Sequence, residues 1–175
     1  MRVISGKYKG RKLEGFNIDG TRPTMDRVKE SLFASIQTKI KNSNCLDLFA
    51  GSGALGIEAL SMGAKSCDFI EHSQEAIKVL NKNTQNIEEE YHIINIDYKR
   101  FLKTTKNKYD IIFLDPPYKN NLLNKSLKYI EENSLLNKEG IIVCEYEIEK
   151  PICNLTEIKS KNYGSKKIKI FENNL

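Results

Sequence analysis

No apolar run in these 175 residues approaches the ~20 that a membrane-spanning helix needs. The first residues also lack the apolar core of a secretory signal, so a cytoplasmic protein with no membrane partner is expected. The four cysteines (Cys45, Cys67, Cys144, Cys153) form no CxxC pair, and the two histidines, His72 and His92, are not spaced to join them around zinc. Three of those cysteines fall in apolar strand-like runs, so buried reduced thiols and no metal are expected. Internal repeats and low-complexity linkers are absent, and at ~150 residues per domain the length suits one domain. A chain of this size buries about 70% of its unfolded surface, enough for a core without staples. A strong charge of one sign is missing too: 28 Lys+Arg against 23 Asp+Glu leave +5, which by itself does not indicate nucleic acid. The distribution says more. Residues 1–43 hold ten basic and four acidic side chains, net +6, and the remaining 132 hold 18 and 19, net −1. A basic arm on a near-neutral domain is the expectation.

What is present is a regular alternation of short apolar runs and longer amphipathic stretches. Strands are expected at Asn44–Ala50, Ser66–Glu71, Tyr91–Ile96, Tyr109–Leu114 and Gly140–Tyr146, with weaker candidates at Leu155–Lys159 and Lys166–Phe171. Helical spacing falls between them at Ala54–Met62, Gln74–Glu89, through Phe101 and Leu102, and at Leu122–Leu135. Such alternation implies an α/β fold with a doubly wound, mostly parallel sheet and helices on both faces. Residues 1–43 stand outside it: Arg2–Leu13 has the pattern of a small β-hairpin, and Asp26–Ile40 that of a helix. They read as a lead-in packed on the domain of residues 44–175, without a core of their own.

Two constellations carry chemistry. The first, Asp47-Leu48-Phe49-Ala50-Gly51-Ser52-Gly53, ends a strand and opens a helix. Glycines there let a ligand approach the backbone, and the helix start offers oriented N–H donors. A bare GxG could serve a phosphate, but the acid four residues before the first glycine disfavours an anion and favours a cationic ligand. Glu71 follows at the end of strand two, the place from which a carboxylate grips a ribose diol. Asp97, after strand three, is placed to bond an adenine amine. An adenosine-containing ligand with a positive centre fits, with S-adenosylmethionine as the candidate. The second constellation is Asp115-Pro116-Pro117-Tyr118, directly after strand four. The prolines fix the backbone so that the Asp115 carboxylate and the Pro116 carbonyl converge as acceptors for an exocyclic NH₂, while Tyr118 offers a ring for stacking. Adenine N6, cytosine N4, guanine N2 and a protein amide all satisfy those acceptors, and a non-catalytic RNA-binding assembly factor on the same fold is the reading from a different class.

Asp115–Tyr118 resembles the (D/N/S)PP(Y/F) motif of methyltransferases that act on exocyclic amines. The chain as a whole resembles the RsmD family of 16S rRNA guanine-N2 methyltransferases, nearly end to end. The matching segments are RVISGKYKGRKL (2–13), TRPTMDRVKESLF (21–33), LDLFAGSGALGIEAL (46–60), FIE (69–71), YDIIFLDPPY (109–118), GIIVCE (140–145) and YGSKKI (163–168). One departure is Ser73, where the family often has an acid. The resemblance implies a Rossmann-like class I methyltransferase with seven strands, the last antiparallel, behind a basic hairpin and helix. It implies S-adenosylmethionine at Asp47, Phe49, Gly51, Ser52, Gly53, Glu71 and Asp97, and the target guanine at Asp115, Pro116, Pro117 and Tyr118. It also implies 16S rRNA, in a small subunit or assembly intermediate, gripped by Lys7, Lys9, Arg11, Lys12, Arg22, Thr24 and Arg27 of a monomeric enzyme.

Overall fold

The computed structural model describes residues 1–15 and 23–175. After helix α1 (Pro23–Ile40) the chain alternates β1 (Asn44–Asp47), α2 (Ala54–Ser61), β2 (Ser66–Glu71), α3 (Gln74–Asn83), β3 (Glu90–Asn95), α4 (Tyr98–Thr104), β4 (Tyr109–Leu114), α5 (Leu122–Glu132) and β5 (Leu136–Tyr146). A hairpin of β6 (Thr156–Tyr163) and β7 (Lys166–Glu172) completes one seven-stranded sheet in the order β3-β2-β1-β4-β5-β7-β6. Strands β1 to β5 pair in parallel, and β7 lies antiparallel between β5 and β6. The order reverses between β1 and β4, so the loops leaving those two strands diverge and open a cleft at their carboxyl ends.

Residues alternate across the sheet. Cys45, Phe69, Ile111 and Phe113 face α1, α2 and α3, whereas Leu46, Ile70, Ile112 and Leu114 face α4 and α5. A central strand covered on both faces has no solvent side to show, which explains the apolar run at residues 111–114 of β4; in β2 the buried Asp68 is satisfied by the Tyr109 hydroxyl and His92 Nδ1. Val3 and Leu13 of the lead-in, with Val28, Phe33 and Ile36 of α1, belong to the first of these clusters, so the described part of the lead-in shares the domain's core.

Several boundaries differ from expectation for local reasons. The lead-in turns back through a single antiparallel bridge, Arg2↔Lys12, rather than a laddered hairpin. Its tip is an irregular turn with Gly6 and Gly10 at positive φ. Helix α3 ends at Asn83 because Thr84 caps it and Asn86 turns at φ 64°. Strand β5 starts early, at Leu136, where Tyr109↔Leu136 pairs before a register shift. The cysteines are free thiols, three buried and Cys153 partly so. Among the described residues there is no His/Cys/Asp/Glu cluster fit for a metal and no helix long and apolar enough to cross a membrane.

Candidate active site

At the end of β1 the chain turns tightly into α2, with Gly51 at φ 55° and Gly53 at φ 84°. A Cβ on Gly53 would stand 2.4 Å from Leu80, and one on Gly56 would stand 2.4 Å from the Phe69 ring. Gly56 therefore completes a GxGxxG pattern whose third glycine allows close helix–strand packing; the signal lay three residues beyond the GxG. The N-terminal cap of α2 is Gly53, which has no side chain to offer, so the N–H groups of Ala54 and Leu55 remain available as donors, while that of Gly56 goes to Asp47.

Asp47 lies beneath this loop, 2% exposed, and its Oδ2 accepts the N–H of Gly56 at 3.1 Å. Burial pushes its carboxyl up to about 7, the Glu71 charge adds to this, and the Gly56 N–H opposes it. A cation in the cleft would favour the ionised form. Glu71 ends β2 half-buried, also raised by burial, with His72 opposing. Asp97 caps α4, its Oδ2 accepting from the N–H groups of Lys99 (3.1 Å) and Arg100 (3.3 Å). Phe49 packs on Tyr98 with ring centroids 5.2 Å apart, so an apolar wall stands beside Asp97. Ser73, the departure from the family pattern, caps α3 by accepting from Ala76 N at 3.3 Å.

The same cleft, of ≈ 1660 Å³, extends from Asp47, Glu71 and Asp97 to Asp115, Pro116, Pro117 and Tyr118. Pro116 is buried, Pro117 is exposed and Tyr118 is 47% exposed at the rim. Asp115 sits one residue past the Leu114↔Cys144 pair, and Glu145 one residue past it on the neighbouring strand. Lys166, at the start of β7, brings Nζ to 2.5 Å from Glu145 Oε1. Burial raises the Asp115 carboxyl well above the usual range; the Glu145 charge adds to this and Lys166 opposes it. The donor set fits S-adenosylmethionine. Carboxylates suit its positive centre and ribose diol, uncapped N–H groups suit its carboxylate, and the glycines leave room at the backbone.

A family model described as "Conserved hypothetical protein 95" matches residues 1–172. Ribosomal RNA small subunit methyltransferase D of Haemophilus influenzae is 40% identical, over 99% of this chain and 94% of its own length. The Escherichia coli protein of the same name is 38% identical, over 85% of this chain and 76% of its own. The chain belongs to the RsmD family. The solved structure of yhhF from Escherichia coli superimposes with a TM-score of 0.88 at 34% identity, covering 99% of this chain and 97% of that one. More distantly, the Thermus thermophilus 16S rRNA N2 G1207 methyltransferase, solved with AdoMet and guanosine, shares the fold at a TM-score of 0.67 and 18% identity, covering 90% and 45%. The fold of this RsmD-family chain is that of the Rossmann-like class I methyltransferases.

The expected RNA-gripping residues of this RsmD-family protein are not equivalent. Lys7 pairs with Glu88 (2.8 Å) and Glu89 (3.1 Å), and Arg11 donates to the Gln85 carbonyl and lies over the Tyr8 ring. Lys9, Lys12 and Arg27 extend into solvent; Arg22 and the side chain of Thr24 lie outside the described residues. The tip of the lead-in docks on the carboxyl end of α2, where Lys7 N donates to Ser61 O at 2.8 Å. The basic tip therefore sits at the amino edge of the strands, a helix length of ~12 Å from the glycine loop. Three features escaped the sequence. Glu145 and Lys166 meet only because β7 inserts beside β5. The third is a groove of Lys99, Lys125 and Lys128 around Tyr129, with Glu132 paired to Lys128 at 3.8 Å, which shares Tyr98 with the main cleft; Lys103 Nζ stands 5.3 Å from the Tyr129 ring. Net charge near zero over residues 44–175 concealed that cluster.

Proposed function

We propose that this chain transfers the methyl group of S-adenosylmethionine to the exocyclic N2 amine of a guanine in small-subunit rRNA. It acts as a cytoplasmic monomer on a small ribosomal subunit or assembly intermediate. The observation that carries this reading is the single cleft in which the glycine loop and its three acids open toward Asp115-Pro116-Pro117-Tyr118. Membership of a family whose relatives are named small-subunit rRNA methyltransferases supports the substrate class.

S-adenosylmethionine supplies an electrophilic methyl on a sulfonium, already a good leaving group. Asp47 would supply the negative charge that suits the cofactor's positive centre, Glu71 would take the ribose diol and Asp97 the adenine side, with Phe49, Gly51, Ser52 and Gly53 shaping the pocket. The target base leaves its stack to enter the cleft and rests on Tyr118, a contact worth ~1–3 kcal/mol. Asp115 and the Pro116 carbonyl accept the two N2–H protons. This draws the nitrogen lone pair out of ring conjugation and stabilises the positive charge that grows on nitrogen. Burial and Glu145 favour the protonated Asp115 carboxyl, and a cationic ligand in the cleft favours the ionised form that accepts the N2–H and can take the proton released. Lys9, Lys12, Arg27 and the Lys99–Lys128 groove provide phosphate contacts on either side, with Arg22 and Thr24 of the TRPT segment assigned by resemblance.

The test is Asp115→Ala. Affinity for S-adenosylmethionine should stay within about threefold while kcat falls ~10²–10³-fold, the scale for one lost transition-state hydrogen-bonding group. Undiminished turnover would refute the assignment.

A further inference from the structure

We propose that Glu145 and Lys166 read the Watson–Crick edge of the target base beside Asp115, and that this row of acceptor, acceptor and donor selects guanine. The inference rests on the reading that the reactive amine sits at Asp115.

Three neighbouring strands build the row. Asp115 leaves β4, Glu145 stands at the matching position of β5, and Lys166 opens β7, which pairs with β5 on its other side. All three side chains line the cleft. Glu145 is buried, 7% exposed, and its Oε1 has no well-aligned hydrogen bond although the Lys166 ammonium is 2.5 Å away. A pair present only to tie strands together would be better satisfied. The buried Lys29–Glu58 pair illustrates this, since Glu58 also takes the N–H groups of Ile4 and Ser5, at 3.0 and 2.9 Å. A buried polar group left short of partners calls for an explanation, and one that lines the cleft beside Asp115 has a ligand edge as its natural partner.

Guanine presents, in order, the N2 amine, the N1–H donor and the O6 acceptor. With N2 at Asp115, N1–H points at a carboxylate and O6 at an ammonium, so the edge is complementary along its whole length. Adenine with N6 at Asp115 would aim the N1 lone pair at Glu145, and cytosine with N4 there would aim N3 at it. Each is acceptor against acceptor. The acidic motif alone accepts any planar NH₂, so discrimination falls to the next two strands.

The experiment compares guanosine with 2-aminopurine at the target nucleotide of otherwise identical small-subunit RNA, after the target is mapped with the wild-type enzyme. 2-Aminopurine keeps the exocyclic amine but replaces N1–H by a lone pair and lacks O6. Wild type should prefer guanosine in kcat/KM by ~10–100-fold, the span of one good base-edge contact. Glu145→Gln, whose amide can donate to that lone pair, should narrow the preference at least tenfold. Lys166→Met should lower kcat/KM for guanosine while leaving 2-aminopurine unchanged. If both variants bind S-adenosylmethionine as wild type does and slow the two substrates by the same factor, the residues are structural and the inference is wrong. If Glu145→Gln fails to bind the cofactor, Lys166→Met alone decides, because its two substrates either diverge or do not. Wild type forming no N2-methylguanosine on any RNA would instead overturn the underlying assignment of the reaction.

Discussion

Replacing Glu58 with alanine should release the amino-terminal segment from the domain. Glu58 projects from α2 into a fully buried site (0% exposed), where its carboxylate accepts from Ile4 N and Ser5 N and faces Lys29 Nζ at 3.1 Å. Lys29, itself 5% exposed, donates in addition to the Arg2 carbonyl at 2.6 Å. Alanine would leave an ammonium and two backbone N–H groups without their shared acceptor. Breaking one side of a buried pair costs ~3–5 kcal/mol, a large part of the ~5–15 kcal/mol that holds a domain together. Lys29→Met should cost about half as much, because Glu58 keeps both N–H donors, an arrangement worth ~1–3 kcal/mol per satisfied group. Urea unfolding of wild type and the two variants gives the energies, and amide exchange at Ile4 and Ser5 locates the loss. RNA affinity should drop with the segment's order, and cofactor affinity should fall less. A Glu58→Ala cost below ~1 kcal/mol, or a Lys29→Met cost equal to it, would refute the account of this anchor.

Further outcomes follow from the geometry. Asp47, held up to about 7 by burial, is partly protonated in the empty cleft near neutrality, and a bound cation favours its ionised form. Binding of S-adenosylmethionine at pH 6.5 should therefore release a fraction of a proton, and at pH 9 almost none, read by calorimetry in buffers of different ionisation heat; equal release at both pH values would remove Asp47 as the source. Because burial raises rather than lowers this carboxyl, Asp47 should also make the cofactor-free fold lose stability as pH rises from about 4 to 7. Gly6→Ala should destabilise by ~2–5 kcal/mol, since its Cβ would meet Ser61 O at 2.0 Å, a clash of ~1–3 kcal/mol added to the ~1–2 kcal/mol of left-handed backbone. Gly10→Ala, at a similar positive φ but in open space, should cost only the ~1–2 kcal/mol of left-handed backbone; equal thermal shifts would contradict the docking of the tip. Lys9→Ala with Lys12→Ala should lower the salt slope of RNA binding by roughly 0.7–0.9 for each phosphate no longer neutralised, whereas Lys7→Ala, already paired with Glu88 and Glu89, should change it little.

Much of this architecture was legible from hydrophobic pattern alone. Strands β2 and β4 span the expected residues, Ser66–Glu71 and Tyr109–Leu114, because short strand-like runs between helical stretches mark them. The glycine loop, Glu71 and Asp97 were found because each sits at a strand end, a position that periodicity reveals. Less local features stayed hidden. Whether Lys7 and Arg11 are free depends on acids and a carbonyl more than 70 positions away, at Gln85, Glu88 and Glu89. The meeting of Glu145 with Lys166 depends on a terminal strand inserting next to β5, which no motif announces. Charge counting also failed in both directions. It credited the amino-terminal basic residues with a freedom that Lys7, Arg11, Lys29 and Lys39 lack, and it averaged away the lysines around Tyr129.

The most direct test of the central claim is to incubate the protein with isotopically labelled S-adenosylmethionine and undermodified small-subunit rRNA, as naked RNA and as assembled subunits, and then identify the labelled nucleoside. N2-methylguanosine at a single position, formed by wild type and not by Asp115→Ala, is the predicted result. Label in N6-methyladenosine or N4-methylcytosine, or cofactor binding with no transfer to either RNA form, would contradict it.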